Sequence, residues 1–115
     1  VFAAVDLEID CRAETDQMVG IVRGMMKREF HGKELKLCEL FIDPFFQNLG
    51  IGKKILTSLV SEARNNGCLR IYMWVLEKNA RARNFYEKYG FVFSGIREEF
   101  ANTGRYKMKY IMPLD

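Results

Sequence analysis

The spacing of apolar and polar residues changes character along this chain. From Glu34 to Ile42 they alternate in twos, as on a strand with two different faces. Leu35, Leu37, Glu39 and Phe41 fall on one face; Lys36, Cys38, Leu40 and Ile42 fall on the other. Asp43-Pro44 ends the run, because proline has no N–H to give a ladder. From Ile51 the period becomes helical. Ile51, Ile55, Leu59 and Ala63 recur every fourth residue, and Leu56 and Val60 widen the stripe. Asn65-Asn66-Gly67 supplies a left-handed stop. Leu69 to Leu76 is then an apolar run holding Tyr72 and Trp74, which reads as a buried strand. Strand, helix and strand within about 40 residues predict a parallel crossover unit.

The flanking stretches are shorter. Val1 to Val5 is apolar without a clear period. Ile9 to Thr15 and Met18 to Met26 read as strands joined by a turn at Asp16-Gln17, with the backbone closely approached at Gly20 and Gly24. Met18, Met25 and Met26 read as core. Lys27 to Lys33 is polar and reads as a loop. Asn79 to Tyr89 predicts a second helix, capped by Asn79, apolar along Ala82, Phe85, Tyr86 and Tyr89, and ended by Gly90. Phe91 to Ile96 and Tyr106 to Met112 read as strands around a turn at Asn102-Thr103-Gly104. No repeat or linker divides residues 1–115, which read as one domain.

Candidate chemistry centres on Gln47 to Lys53, where Gly50 and Gly52 sit between strand and helix. Such a turn can present backbone N–H groups and the positive helix end to an anion, although many glycine turns only turn. A net charge of +3, from 18 basic and 15 acidic residues, suits an anionic ligand and is too small to argue for nucleic acid. Cys11, Cys38 and Cys68 lack metal or redox spacing, so reduced and mostly buried thiols of a cytoplasmic protein are expected, with no metal site. No apolar run has the length of a membrane span, and no signal peptide is visible.

Two motifs together make the chain resemble the GNAT superfamily of acetyltransferases. The first is Leu40-Phe41-Ile42-Asp43-Pro44 followed by Gln47-Asn48-Leu49-Gly50-Ile51-Gly52, similar to a strand and then Q/R-x-x-G-x-G/A. The second, Asn79 to Phe91, is similar to N-x-x-A-x-x-x-Y-x-x-x-G-F, with Asn79, Ala82, Tyr86, Gly90 and Phe91 at the fixed places. The resemblance covers Leu35 to Met112 and implies a mixed α/β (α+β) fold: a mixed, mostly antiparallel twisted sheet with flanking helices. It implies acetyl-CoA as co-substrate, bound by a splayed strand edge at Leu40, Phe41 and Ile42. Backbone from Gln47 and Asn48 through Leu49, Gly50, Ile51 and Gly52 to Lys53 would hold the pyrophosphate.

The roles of Asn79, Phe85, Arg83, Lys88 and Tyr86 follow from the same resemblance, which fixes no single base; Glu39 is read from its own strand face. Asn79 would bond the pantetheine arm, or only cap its helix. Phe85 would line the cofactor or belong to the core. Arg83 and Lys88 would meet the CoA phosphates, while Arg81 reads as a solvated helix face. Tyr86 matches the tyrosine that faces the thioester sulfur. Glu39, among the apolar residues of its strand face, is the candidate base for a primary amine acceptor, although an ion-paired edge glutamate reads equally well. Trp74 cannot serve as a base, and His31 reads as surface.

A family member would begin with a further strand and one or two helices. The chain starts at Val1 and shows little of them, so a trimmed N-terminus is expected. An uncovered sheet would favour a homodimer. The reading is therefore an acetyl-CoA-dependent N-acetyltransferase with an acceptor the residues do not name. The alternative is a catalytically idle acyl-CoA-binding module.

Overall fold

The computed structural model describes residues 5–13 and 16–114. Its elements are β1 (Val5–Arg12), β2 (Met18–Glu29), β3 (Gly32–Ile42), α1 (Ile51–Asn65), β4 (Arg70–Leu76), α2 (Ala80–Tyr89), β5 (Val92–Glu99) and β6 (Tyr106–Pro113). A single 3-10 turn, Pro44–Phe46, links β3 to the loop before α1. Among the described residues the strands form one sheet in the order β1-β2-β3-β4-β6-β5. β3 and β4 run parallel; the other neighbours are antiparallel. This is the mixed, mostly antiparallel arrangement expected, with α1 as the crossover.

The helical stripe packs as its period dictates. Ile55, Leu56, Leu59, Val60 and Ala63 are buried against Val22, Leu35, Leu37, Ile71, Met73 and Val75. α2 joins the same face of the sheet, tied to α1 by the Thr57 and Tyr89 hydroxyls at 3.0 Å. Gly20, on β2, lies under α1. A Cβ there would stand 2.6 Å from Ile55 Cδ1 and 2.9 Å from Ile42 Cδ1. Gly20→Val is therefore expected to cost about 1–3 kcal/mol by overpacking, read as a lower denaturation midpoint with unchanged slope.

Two irregularities, both at β3, shape the sheet around the site. β3 and β4 pair over only three rungs, Glu34 with Arg70 to Lys36 with Tyr72, although both strands continue beyond. They then separate, leaving the β3 edge from Leu37 to Ile42 without a ladder on that side. Moreover, β2 and β3 slip register, with Arg23 opposite Glu39 and Gly24 opposite Leu37. Cys38 is the extra residue, a β-bulge that turns every later side chain of β3 to the other face. Leu40 and Ile42 thus join Leu35 and Leu37 against the helices, while Glu39 and Phe41 face the helix-free side.

Several expectations need correction. Residues 27–33 are not a loop: β2 and β3 continue as a ladder to Glu29 and Gly32, and the turn is only Phe30-His31. The polar residues there fit a hairpin end that is solvated on both faces. Met18 and Met25 are exposed, and of the three methionines only Met26 is buried. Tyr72 and Trp74 are half-buried on the helix-free face, with Lys109 Nζ 4.6 Å and Lys107 Nζ 4.3 Å from their ring centres. Cys68 is buried, Cys11 half-buried and Cys38 exposed. Thr15 and the apolar start up to Ala4 lie outside the described residues.

Candidate functional site

A cleft of about 690 Å³ opens where β3 leaves β4, between the N-terminal ends of α1 and α2. That is within the size range of small-molecule sites. Its floor is Leu40 and Ile42. One wall is the loop into α1, with Phe46, Gln47, Asn48, Gly50, Ile51, Gly52 and Lys53, and the other is α2 with Asn79.

The loop wall leaves backbone N–H groups without an internal partner among the described residues. Asp43 accepts the Phe45 N–H at 2.9 Å and starts the 3-10 turn; Asn48 and Gly50 then take positive φ, 65° and 78°. Around a Cβ at Gly50 there would be open space, so the glycine is required by its backbone conformation and not by packing. Gly50 is the N-cap of α1 and gives it no side-chain hydrogen bond, and no acidic residue stands in the first turn. The first helical bond is Lys54 N–H to the Gly50 carbonyl, at 3.1 Å. The N–H groups of Ile51, Gly52 and Lys53 are therefore left for a ligand. α2 differs: Asn79 Oδ1 accepts the Ala82 N–H at 3.1 Å, which spends that cap internally.

Charge agrees with the backbone. Lys53, Arg81 and Lys88 line the cleft, and among the described residues no Asp or Glu does. None of the three is in an ion pair among the described residues; Arg81 Nη2 donates to the neutral Gln47 Oε1 at 2.9 Å, bridging the two walls. The Gln47 amide in turn donates weakly to the Ile42 carbonyl, at 3.5 Å. Gly52 approaches α2 closely, since a Cβ there would lie 3.2 Å from Phe85 Cζ.

Tyr86 stands on the α2 wall. Its ring packs edge-on to Phe85 and Phe91, with centroids 5.2 and 5.7 Å away. Its hydroxyl makes no hydrogen bond to a described residue, yet no buried side-chain polar atom is without a partner among the described residues. The hydroxyl must therefore open onto the cleft. Burial of the ring pushes its pKa up to about 12. The folded state then holds the phenol proton longer than the unfolded chain does. This contribution to stability is full below pH 10 and is lost as pH rises toward 12. We expect about 2–3 kcal/mol to disappear across that window, and Tyr86→Phe to remove this share of the alkaline loss, as read from denaturation midpoints at pH 9 to 12.

Most of the expected residues meet in this cleft: Leu40, Ile42, Gln47, Asn48, Gly50, Ile51, Gly52, Lys53, Asn79, Phe85, Tyr86 and Lys88. Four do not. Phe41 faces the helix-free side, and Leu49 is exposed at the loop tip. Arg83 turns away from the cleft, with Nη1 donating to the Glu77 carbonyl at 2.9 Å and Nε to the Tyr110 hydroxyl at 3.2 Å. Glu39 lies beyond the Cys38 bulge, half-exposed, 3.3 Å from Arg23 Nη1. It has none of the apolar surroundings expected for it. Conversely, Arg81, Ala82, Asn84 and Phe46 line the cleft and were not expected there. For Arg81 the signal exists in the sequence, since it shares a helix face with Phe85 and Lys88 at i, i+4 and i+7. Among the described residues no group of three or more His, Cys, Asp or Glu is placed to hold a metal, and no helix is long and apolar enough to cross a membrane.

Comparison with known proteins gives the cleft a context. Residues 5–91 match the family model described as Acetyltransferase (GNAT) family. Spermine/spermidine N(1)-acetyltransferase of Bacillus subtilis is 40% identical over 60 residues, covering 51% of this chain and 40% of that protein. The chain thus spans less than half the length of this curated relative. The crystal structure of an acetyltransferase from Bacillus cereus superposes with a TM-score of 0.79 at 22% identity, over 96% of this chain and 74% of that one. The NatC complex bound to Gag peptide and CoA gives 0.78 at 22% identity, over 93% and 69%. At these identities the two structures speak for the fold.

Proposed function

The chain belongs to the acetyltransferase (GNAT) family, and from that premise we propose that it transfers the acetyl group of acetyl-CoA directly to a primary amine. The observation that carries this reading is the conjunction in one cleft of an uncapped helix N-terminus, three cations without carboxylates, and the open hydroxyl of Tyr86. These residues fit CoA. The N–H groups of Ile51, Gly52 and Lys53 hold the pyrophosphate, which the helix dipole and the Lys53 ammonium favour. The unladdered β3 edge at Leu40 to Ile42 offers N–H and C=O groups to the pantetheine amides.

Acetyl-CoA supplies an activated thioester, so the chain has to orient it, take one proton from the ammonium before attack, and give one to the sulfur. The second proton, shed by the attacking nitrogen, replaces the one given. Tyr86 donates to the departing sulfur; with a pKa near 12 it keeps its proton at any working pH. Glu39 stands on the opposite face, beside the widening gap, and accepts a proton from the substrate ammonium directly or through water. Its pair with Arg23 is half-exposed, the kind worth about 0–1 kcal/mol, so an incoming amine can displace it. We place the reaction in the cytoplasm, where free cysteines such as these stay reduced.

The test is release of free CoA thiol from acetyl-CoA across a panel of primary amines. Spermine and spermidine come first because the Bacillus subtilis relative is named for them. Turnover with any amine supports the reading. Binding of acetyl-CoA without turnover on any amine identifies the idle module instead.

A further inference from the structure

α2 is held from behind by a chain of polar contacts that the proposed chemistry does not use. Tyr110, on β6, is completely buried, and its hydroxyl points at α2. It donates to Glu87 Oε2 at 2.6 Å and accepts from Arg83 Nε at 3.2 Å. Arg83 Nη1 continues to the Glu77 carbonyl, in the turn that leads into the helix. Arg97, on β5, closes the chain: Nε and Nη2 grip the Glu77 carboxylate at 2.6 and 2.9 Å, and the guanidinium lies 3.6 Å from the Tyr106 ring centre. Burial and then the bond to Glu87 hold the Tyr110 phenol above its ordinary value, which keeps it the donor in that bond.

The position of these contacts gives them a consequence at the cleft. Arg83 and Glu87 are four residues apart and share one stripe of α2. Arg81, Phe85 and Lys88 occupy the opposite stripe, facing the cleft, and Tyr86 lies between the two. Other ties, such as Thr57 with Tyr89, hold the helix to α1. Among the described residues, only the Tyr110 hydroxyl joins two turns of α2 to one point on the sheet. A tyrosine hydroxyl lies roughly 9 Å from its helix axis, so a rotation of about 10° moves it by about 1.5 Å. Displacements near 1 Å can cost about 100-fold in rate.

We propose that Arg83, Tyr110 and Glu87 form a positioning clasp that fixes the rotation of α2 and thereby the aim of the Tyr86 hydroxyl. The claim rests on the acetyltransferase reading for its kinetic consequence, but not for its structural one. Tyr110→Phe keeps the ring in the core and removes the shared hydroxyl. It is expected to lower kcat about tenfold with KM for acetyl-CoA within about twofold, measured with the fastest amine of the panel. With Tyr86→Phe already present, the same change is expected to cost less than about twofold, because there is no longer a hydroxyl to misplace. Glu87→Gln keeps an acceptor for Tyr110 and is expected to stay within about threefold of the parent, whereas Glu87→Leu follows Tyr110→Phe.

A second readout needs no turnover. In protein labelled with 3-fluorotyrosine, the ¹⁹F line assigned to Tyr86 by its loss in Tyr86→Phe is expected to shift or split in Tyr110→Phe and to hold its place in Glu87→Gln. Equal losses from Tyr110→Phe in both backgrounds would overturn the clasp, as would a Tyr86 line unmoved by Tyr110→Phe. If Tyr86→Phe itself leaves kcat unchanged, or no amine turns over, the catalytic assignment of Tyr86 fails. The ¹⁹F line then decides the clasp alone.

Discussion

Tyr86→Phe is expected to lower kcat on the order of 10- to 1000-fold and to leave KM for acetyl-CoA within about a factor of two. The substitution removes one oxygen. The ring keeps its edge contacts with Phe85 and Phe91, so the packing of α2 is preserved. The oxygen that goes is bonded to no described residue and opens onto the cleft, so no partner among them is orphaned. What is lost is a donor to the departing sulfur. A CoA thiolate is already a fair leaving group, which sets the loss below the larger values that general acids can give. Thiol-release kinetics at saturating amine read the effect. Equal loss in kcat and in acetyl-CoA affinity would mark Tyr86 as a wall of the cleft and not as a donor.

Arg81→Glu is expected to weaken acetyl-CoA binding by about 100-fold at low salt. Arg81 reaches across the mouth of the cleft to Gln47, with Lys53 and Lys88 on either wall and no carboxylate among them. A charge contact at about 5 Å is worth roughly 1–3 kcal/mol for an effective dielectric between 80 and 20. Reversal removes one attraction and adds one repulsion, which brings the sum to about 2–6 kcal/mol, a range whose lower part holds the roughly 2.7 kcal/mol of a 100-fold change. Because Arg81 is exposed, the difference from the parent should shrink as ionic strength rises from about 0.05 to 0.5 M. Arg28→Glu, an equal charge change far along β2, should leave affinity unchanged. Calorimetric titration of each variant at both salt concentrations checks this.

The parts legible in the sequence are those set by local rules. The stripe from Ile51 to Ala63 specified α1 and its buried face because helical period alone decides which side chains meet the core. Gly50 and Asn79 marked the two helix starts through backbone conformation and capping, which are also local. What escaped depended on a partner strand. The two-residue alternation of β3 placed Glu39 beside Leu35 and Leu37. One inserted residue at Cys38 reversed it, and nothing within β3 announces a slip against β2. Arg81 and Arg83 stand two positions apart on one helix, about 200° around it. Period says they point apart but not which of them meets the cleft. That is decided by the burial of Tyr110 beneath Arg83, a contact with β6. Likewise Tyr72 and Trp74 looked like core by composition. They are half-buried because both helices gather on the other side of the sheet.

The central claim is that the α1 N-terminus and its flanking cations hold the pyrophosphate of acetyl-CoA. Isothermal titration of the chain with acetyl-CoA, repeated at low and high salt, measures it most directly. The account predicts one molecule bound per chain, weakened as salt rises. No heat of binding at either salt concentration, with folded protein, would contradict it.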